Sequence, residues 1–95
     1  MLKELNPILH SQLRLAIMSI LLTVDEAEFV FLKEKTQSTA GNLSVQLDKL
    51  SEAGYIVVEK SFVGKRPRTA CSITSAGRKA MEEYVETLKG YLSGL

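Results

Sequence analysis

The chain has 95 residues, of which 45% are hydrophobic and 24% are charged, with a single Cys and a single His. This length allows one hydrophobic core and excludes a two-domain enzyme. The longest apolar run, residues 15–24, is too short to cross a bilayer, and the first residues lack a signal-peptide pattern. We therefore expect a single cytoplasmic domain over residues 1–95. We expect no cofactor, since one Cys and one His cannot form an internal disulfide or build a metal site.

The formal net charge is only +1, but the charges are distributed unevenly along the chain. Residues 60–81 contain six Lys or Arg and no Asp or Glu, whereas the segments on either side carry more acids than bases. An electropositive segment of this kind suits a polyanion as partner. From charge alone, a solvated surface without a partner is an equally good interpretation.

The first predicted helix begins at either of two capping signals, Asn6-Pro7 or Ser11, and ends near Thr23. It carries two apolar stripes on different sides, so it should be buried on both, the second side by another helix or another subunit. An acidic break separates it from a short second helix over residues 29–35. The residues of this second helix that we expect to face inward are Phe29, Val30 and Leu32.

A polar turn over residues 36–39 leads to a third helix, which Ser38 or Thr39 caps and Gly54 ends. Its apolar stripe, which we expect in the core, consists of Leu43, Leu47 and Leu50. Its other side is small, neutral and rich in amides, as in the second helix of a helix-turn-helix, which enters the major groove of DNA. An amide there can form two hydrogen bonds with adenine. The predicted DNA contacts of this recognition helix are Ser38, Thr39, Gly41, Asn42, Ser44, Val45, Gln46 and Lys49.

Residues 55–62 and 70–74 are rich in β-branched and aromatic side chains and predict two strands of a hairpin. Their expected inward positions are Ile56, Val58, Cys71 and Ile73. Residues 63–69 form the predicted tip, which contains Gly, Pro and three cations. A basic hairpin beside a recognition helix would contact flanking phosphates or enter the minor groove, although it can also serve solubility alone. The DNA contacts predicted for this wing are Lys60, Lys65, Arg66, Arg68 and Thr69.

A last helix is predicted from about residue 76 to residue 92, capped by Thr74 or Ser75. Its apolar residues form a seam that is too long for a three-helix core to cover. Together with the spare stripe of the first helix, this seam favours burial across the two-fold axis of a homodimer, with folding back within one chain as the alternative. The predicted interface residues are Leu2, Leu5, Leu15, Met18, Leu22, Met81, Tyr84, Val85, Leu88 and Leu92.

Several segments resemble the stand-alone winged-helix transcriptional regulators related to the MarR and ArsR groups. They are Leu9-His10-Ser11, Arg14-Leu15-Ala16-Ile17, Gly41-Asn42-Leu43-Ser44-Val45-Gln46-Leu47, Glu52-Ala53-Gly54-Tyr55-Ile56, Phe62-Val63-Gly64-Lys65-Arg66-Pro67-Arg68-Thr69 and Thr74-Ser75-Ala76-Gly77-Arg78. The resemblance implies a mainly α fold with a small β-hairpin wing, a winged helix-turn-helix with an added C-terminal dimerisation helix. It also implies a dimeric bacterial or archaeal DNA-binding regulator. Gln46 stands where the family pattern has a His, which leaves the base preference open.

We therefore expect a sequence-specific regulator that binds double-stranded DNA of approximately palindromic sequence as a homodimer. A winged-helix module that binds another protein is the alternative. A cleft between the first and last helices of a dimer could also hold a small-molecule effector. We do not expect an enzyme, because the sequence contains no nucleophile-and-base pair and no Gly-rich phosphate loop. Sensing by His10 or by Cys71 is less favoured than a surface role for the His and an inert, inward-facing thiol.

Overall fold

Four α-helices and a three-stranded antiparallel sheet form the fold in the computed structural model, which describes residues 2–94. In chain order the elements are α1 (Gln12–Leu21), β1 (Ala27–Glu28), α2 (Phe29–Thr36), α3 (Ala40–Glu52), β2 (Ile56–Val63), β3 (Arg66–Ile73) and α4 (Ser75–Leu92). The predicted mainly α architecture with a hairpin wing and a final helix is confirmed. Strand β1 was not predicted, because it lies within the acidic break and exists only through its pairing with β3.

Side-chain caps decide where three of the helices begin. Ser11, Thr39 and Thr74 each accept a hydrogen bond from the backbone N–H three residues further along the chain. Of the two predicted starts of α1, Ser11 is therefore the one used. Asn6 instead forms a turn before the helix, where its Oδ1 accepts a hydrogen bond from the N–H of Ile8 at 2.9 Å.

The core lies between the four helices and one face of the sheet. Its most deeply buried side chains are Leu9, Ile17, Met18, Leu21, Leu32, Leu43, Leu47, Leu50, Ile56, Cys71, Met81 and Tyr84. The apolar stripe predicted for α3 lies in this core. The prediction that Val30 faces inward is wrong, since its side chain is 64% exposed. Successive helix residues are rotated by about 100°, so Val30 points away from the side of α2 that carries Leu32.

The hairpin is longer, and its turn tighter, than the sequence suggested. Strands β2 and β3 pair without interruption from Ile56 opposite Ile73 to Val63 opposite Arg66. Only Gly64 and Lys65 form the turn, and the positive φ of Gly64, 63°, suits a two-residue connection. The predicted tip over residues 63–69 is therefore wrong in extent, because most of it continues the strands.

Helix α4 docks on the rest of the chain through its first half. At Gly77 a Cβ atom would lie only 2.2 Å from the carbonyl oxygen of Tyr55, so glycine is required for this close approach. Ala80, Met81 and Tyr84 are buried, whereas Leu92 near the end of the helix is 77% exposed. Among residues 2–94, no helix has the length and apolar character needed to span a membrane.

Candidate nucleic-acid interface

Helix α3 presents the face predicted to read DNA. The helix packs against α1 and β2 through its buried leucines, which turns the opposite side outward. Of the predicted contact residues, those that are exposed are Thr39, Gly41, Asn42, Ser44, Val45 and Lys49, and those that are half-buried are Ser38 and Gln46. The exposed face is polar with little net charge, because Asp48 and Glu52 outnumber Lys49. Such a face suits hydrogen bonding to base edges better than attraction to phosphates.

Arg14 of α1 reaches this face, and sequence reasoning missed it. Its Nε donates a hydrogen bond to the carbonyl of Ile8 at 2.5 Å, and its Nη2 donates to the carbonyl of Pro7 at 3.4 Å. Its Nη1 donates to Oε1 of Gln46. The Nε2 of Gln46 in turn donates to Oδ1 of Asn42 at 2.9 Å. The two amides predicted to read bases are therefore members of one ordered chain of hydrogen bonds that starts in α1.

A sequence signal for Arg14 did exist. It is the only Lys, Arg, Asp or Glu between residues 5 and 24, a segment that otherwise consists mostly of apolar side chains. A lone cation on such a helix must find polar partners or water. The sequence could not name those partners, because Gln46 lies 32 positions further along the chain.

The tip of the wing, with Lys65 in the turn and Arg66 at the start of β3, carries two cations. Lys65 and Arg66 are exposed, and within residues 2–94 neither has a carboxylate at salt-bridge distance. Lys60 is also exposed, whereas Thr69 is half-buried. Since β2 of this hairpin packs against α3, the cationic turn and the amide-bearing helix belong to one packed unit.

Arg68 differs from the other wing cations because it is paired within the chain. Its Nη2 lies 2.7 Å from Oε1 of Glu26, and its Nε lies 2.8 Å from Oε1 of Glu28. The hydrogen bond to Glu26, with a smaller contribution from Glu28, raises the pKa of the Arg68 guanidinium. Two carboxylates thus offset one guanidinium, and Arg68 ties β3 to the segment that contains β1.

The two faces of the wing differ in chemistry. Residues directly opposite each other in an antiparallel pair point to the same side. Lys60 and Phe62 therefore share the side of the hairpin that continues the core face, and Arg66 and Arg68 share the other. Phe62 is 73% exposed near the turn, which the sequence analysis did not anticipate.

The residues predicted for a dimer interface fall into three groups. Met18, Met81 and Tyr84 are buried by the chain itself. Those that are half-buried are Leu2, Leu5, Leu15 and Leu88, and those that are exposed are Leu22, Val85 and Leu92. Leu22 and Val85 line an open cavity of about 450 Å³ together with Met81. A larger cavity of about 640 Å³ lies between the N-terminal segment and α4 and is lined in part by Asn6, Pro7 and Tyr84.

The surroundings of His10 and Cys71, the two residues considered as sensors, match the surface His and the inert, inward-facing thiol favoured by the sequence. His10 is exposed, and its Nδ1 lies 3.1 Å from the hydroxyl of Tyr84. Cys71 is completely buried, and this burial raises the pKa of its thiol to about 11. At neutral pH the thiol is therefore protonated and a poor nucleophile.

Comparison with known proteins agrees with this geometry. An uncharacterized protein of Methanocaldococcus jannaschii is 38% identical over 78 residues, which cover 82% of this chain and 85% of that protein. A transcriptional regulator homologue of Pyrococcus horikoshii OT3 superposes with a TM-score of 0.84 at 31% identity, over 92% of this chain and 86% of that one. PadR of Bacillus subtilis, solved in complex with operator DNA, shares the fold with a TM-score of 0.70 at 18% identity, over 90% of this chain and 60% of that one. These likenesses confirm the predicted resemblance to winged-helix regulators. A family model for the winged helix DNA-binding domain matches residues 13–92, so the chain belongs to that family.

Proposed function

We propose that this protein is a sequence-specific transcriptional regulator that binds an approximately palindromic operator as a homodimer. The observation that carries the proposal is the packing of α3 against β2, which joins in one unit an exposed, amide-bearing helix face and the tip of the wing, where Lys65 and Arg66 have no carboxylate at salt-bridge distance within residues 2–94. The family and the likeness to regulators support DNA-binding regulation in general. The operator symmetry, the dimer and the roles of single residues are inferred from the geometry of this chain.

The two parts of the interface have different tasks in this proposal. Lys65 and Arg66 contact phosphates or enter the minor groove, where cations are favoured, and provide affinity that depends on salt. Asn42 and its neighbours on α3 contact base edges in the major groove and provide sequence preference. A helix with little net charge cannot supply much affinity by itself, so both parts are needed.

The proposed dimer uses the apolar residues that the chain leaves uncovered. Leu22, Val85 and Leu92 are exposed on α4 and at the end of α1, and a two-fold axis would cover them on both subunits at once. We leave Met18, Met81 and Tyr84 out of this interface, because their own chain already buries them. Two recognition helices related by such an axis lie about 34 to 36 Å apart, which lets them enter successive major grooves.

The proposal also includes a site for a small-molecule effector. The cavity of about 450 Å³ beside α4 is where we expect such a ligand, since Leu22 and Val85 of the proposed dimer surface line it. PadR is a fold relative solved with operator DNA, which supports DNA as the primary partner. Effector binding is not required for the experiment that follows.

Selection of bound sequences from random duplex DNA at physiological salt tests the proposal. A recovered inverted repeat, together with a steep decrease of affinity as salt increases, is the expected result. Lys79→Ala is a matched control, since it removes an exposed cation of α4 that has no carboxylate at salt-bridge distance within residues 2–94 and lies outside both proposed DNA-binding parts. Absence of both DNA binding and a salt slope would instead favour a module that binds another protein.

A further inference from the structure

The chain of hydrogen bonds from Arg14 to Asn42 fixes the orientation of two side-chain amides, those of Gln46 and Asn42. It determines in each amide the direction in which the oxygen and the nitrogen point. A guanidinium has only donors, so the atom of Gln46 that contacts Arg14 must be the oxygen. The amide nitrogen of Gln46 then points along α3 and donates to the oxygen of Asn42. The orientation of both amides thus follows from the chemistry of Arg14. Arg14 itself is held by the backbone carbonyls of Pro7 and Ile8.

We propose that Arg14 is a positioning residue that sets the hydrogen-bonding polarity of the recognition helix, so that Asn42 presents its NH₂ group to DNA and selects guanine. This inference rests on the proposed function. Asn42 is the third residue of α3 and is exposed, in the part of a recognition helix that meets base edges. Gln46 already uses one of the two acceptor sites of the Asn42 oxygen and fixes the direction of that oxygen, whereas the NH₂ group of Asn42 carries two donors, so the group it presents to DNA is chiefly a donor.

The engaged oxygen changes which base fits best. Pairing with adenine through two hydrogen bonds requires the amide to accept from N6 and donate to N7 at the same time. That arrangement needs the oxygen and nitrogen of Asn42 side by side against the base, whereas the contact with Gln46 turns the oxygen along the helix. Guanine offers two acceptors in the major groove, N7 and O6, and requires only a donor from the protein. The structure therefore moves the expected preference of Asn42 from adenine to guanine.

Gln46→Glu tests this polarity directly. The new carboxylate still accepts from Arg14, but it has no N–H to donate to Asn42 and can only accept from the amide nitrogen of Asn42. The amide of Asn42 should then reverse and present its oxygen to DNA. We expect the preference at the base read by Asn42 to shift by about three- to tenfold from guanine towards bases with an exocyclic amine, adenine and cytosine.

The measurement is competition between duplexes that differ at one base pair, each referred to the affinity of the same variant for random duplex. The base read by Asn42 is identified as the position whose preference disappears in Asn42→Ala. Ser51→Glu is the matched control, since it adds the same charge to an exposed position of α3 outside the hydrogen-bonded chain, and it should keep the wild-type preference.

Arg14→Met supplies a second, independent readout. It removes every donor while keeping an extended side chain, so both amides are released and the preference for guanine over adenine should fall by about three- to tenfold. In an Asn42→Ala background, Arg14→Met should cause no further change in the preference at that base, because Arg14 acts through Asn42. If Arg14 had a merely structural role, its loss would have an effect whether or not Asn42 is present. Thermal unfolding of each variant establishes that it is folded at the temperature of the binding assay.

The outcomes separate this inference from the proposed function. If the wild-type protein binds an inverted repeat but prefers adenine at the base read by Asn42, the inference is overturned and the proposed function stands. The same holds if Gln46→Glu and Arg14→Met keep the wild-type preference. If the wild-type protein binds no duplex DNA, both fall together.

Discussion

The two DNA-binding regions proposed here are built in opposite ways. The face of α3 has little net charge, and its amides are ordered by hydrogen bonds that begin at Arg14 on another helix. The tip of the wing is strongly cationic, and its Lys65 and Arg66 have no ion-pair partner within residues 2–94. Base edges present donors and acceptors at fixed positions, so the side chains that contact them must also be held in fixed positions. Phosphates repeat along the DNA, so binding them requires mainly positive charge. The ordered side chains therefore lie on α3, where the base sequence of the DNA would be read.

The same contrast appears inside the wing. Arg66 and Arg68 lie two residues apart on one strand, yet Arg66 is exposed and has no ion-pair partner in the described part of the chain, while Arg68 is held between Glu26 and Glu28. Equal formal charge therefore does not mean equal availability to DNA. Three experiments test these differences in availability and order, and a fourth tests the buried thiol of Cys71.

Asn42→Ala should have the largest effect on recognition. We expect a loss of about 1 to 3 kcal/mol in binding free energy on the preferred site and little change on random duplex, because a base contact is lost and no phosphate contact is. Parallel titrations of both duplexes at one salt concentration measure this difference. Equal losses on the two duplexes would show that Asn42 does not read bases.

Lys65→Ala and Arg66→Ala should weaken binding to every duplex alike. Each variant removes one phosphate-neutralising cation, so the slope of log affinity against log salt concentration should decrease by about one. Titrations on preferred and random DNA at several salt concentrations provide the measurement, with Lys79→Ala as the control that should keep the wild-type slope. If these variants behaved like Asn42→Ala, the proposed division between affinity and sequence preference would be wrong.

Arg68→Ala should leave the salt slope close to that of the wild type, because two carboxylates already occupy the guanidinium. The double variant Glu26→Gln, Glu28→Gln should release Arg68 and increase the slope by about one, as expected for an added phosphate contact. The same salt titrations serve for both variants. A decrease for Arg68→Ala as large as that for Arg66→Ala would place Arg68 on the DNA.

Cys71 should have the smallest effect, confined to alkaline solution. Burial raises the pKa of its thiol from 9.0 to about 11, so the folded protein keeps a proton that the unfolded chain loses between these values. Its contribution to stability is therefore complete below pH 9 and is lost as the pH rises towards 11. Denaturant titrations across this range should show a steeper decline for the wild type than for Cys71→Ala. Below pH 9 a thiol reagent should react only as fast as the protein unfolds, and rapid labelling of the folded protein would contradict this.

Much of the helical framework could be predicted because its signals are local. The leucine stripe of α3 and the caps of α3 and α4 all act within a few residues of the chain, although the sequence left the first cap open between Ser38 and Thr39 and the second between Thr74 and Ser75. The mistake at Val30 arose where a helix of eight residues gave too short a periodic pattern to define its inner side. The extent of the wing was underestimated because a strand of Arg, Pro and Thr has no apolar alternation to mark it.

Local sequence patterns specify the order of the helices and the hairpin, the buried side of α3 and the basic composition of the wing, since each depends on periodicity, capping or composition within a short segment. Only the tertiary structure decided that Arg68 is paired, that residues 27–28 form a strand and that Arg14 orients Gln46 and Asn42. Apart from the local hydrogen bond between Gln46 and Asn42, each of these contacts joins residues at least 32 positions apart. Which distant groups meet depends on how the whole core packs, and no local pattern of residues records that packing.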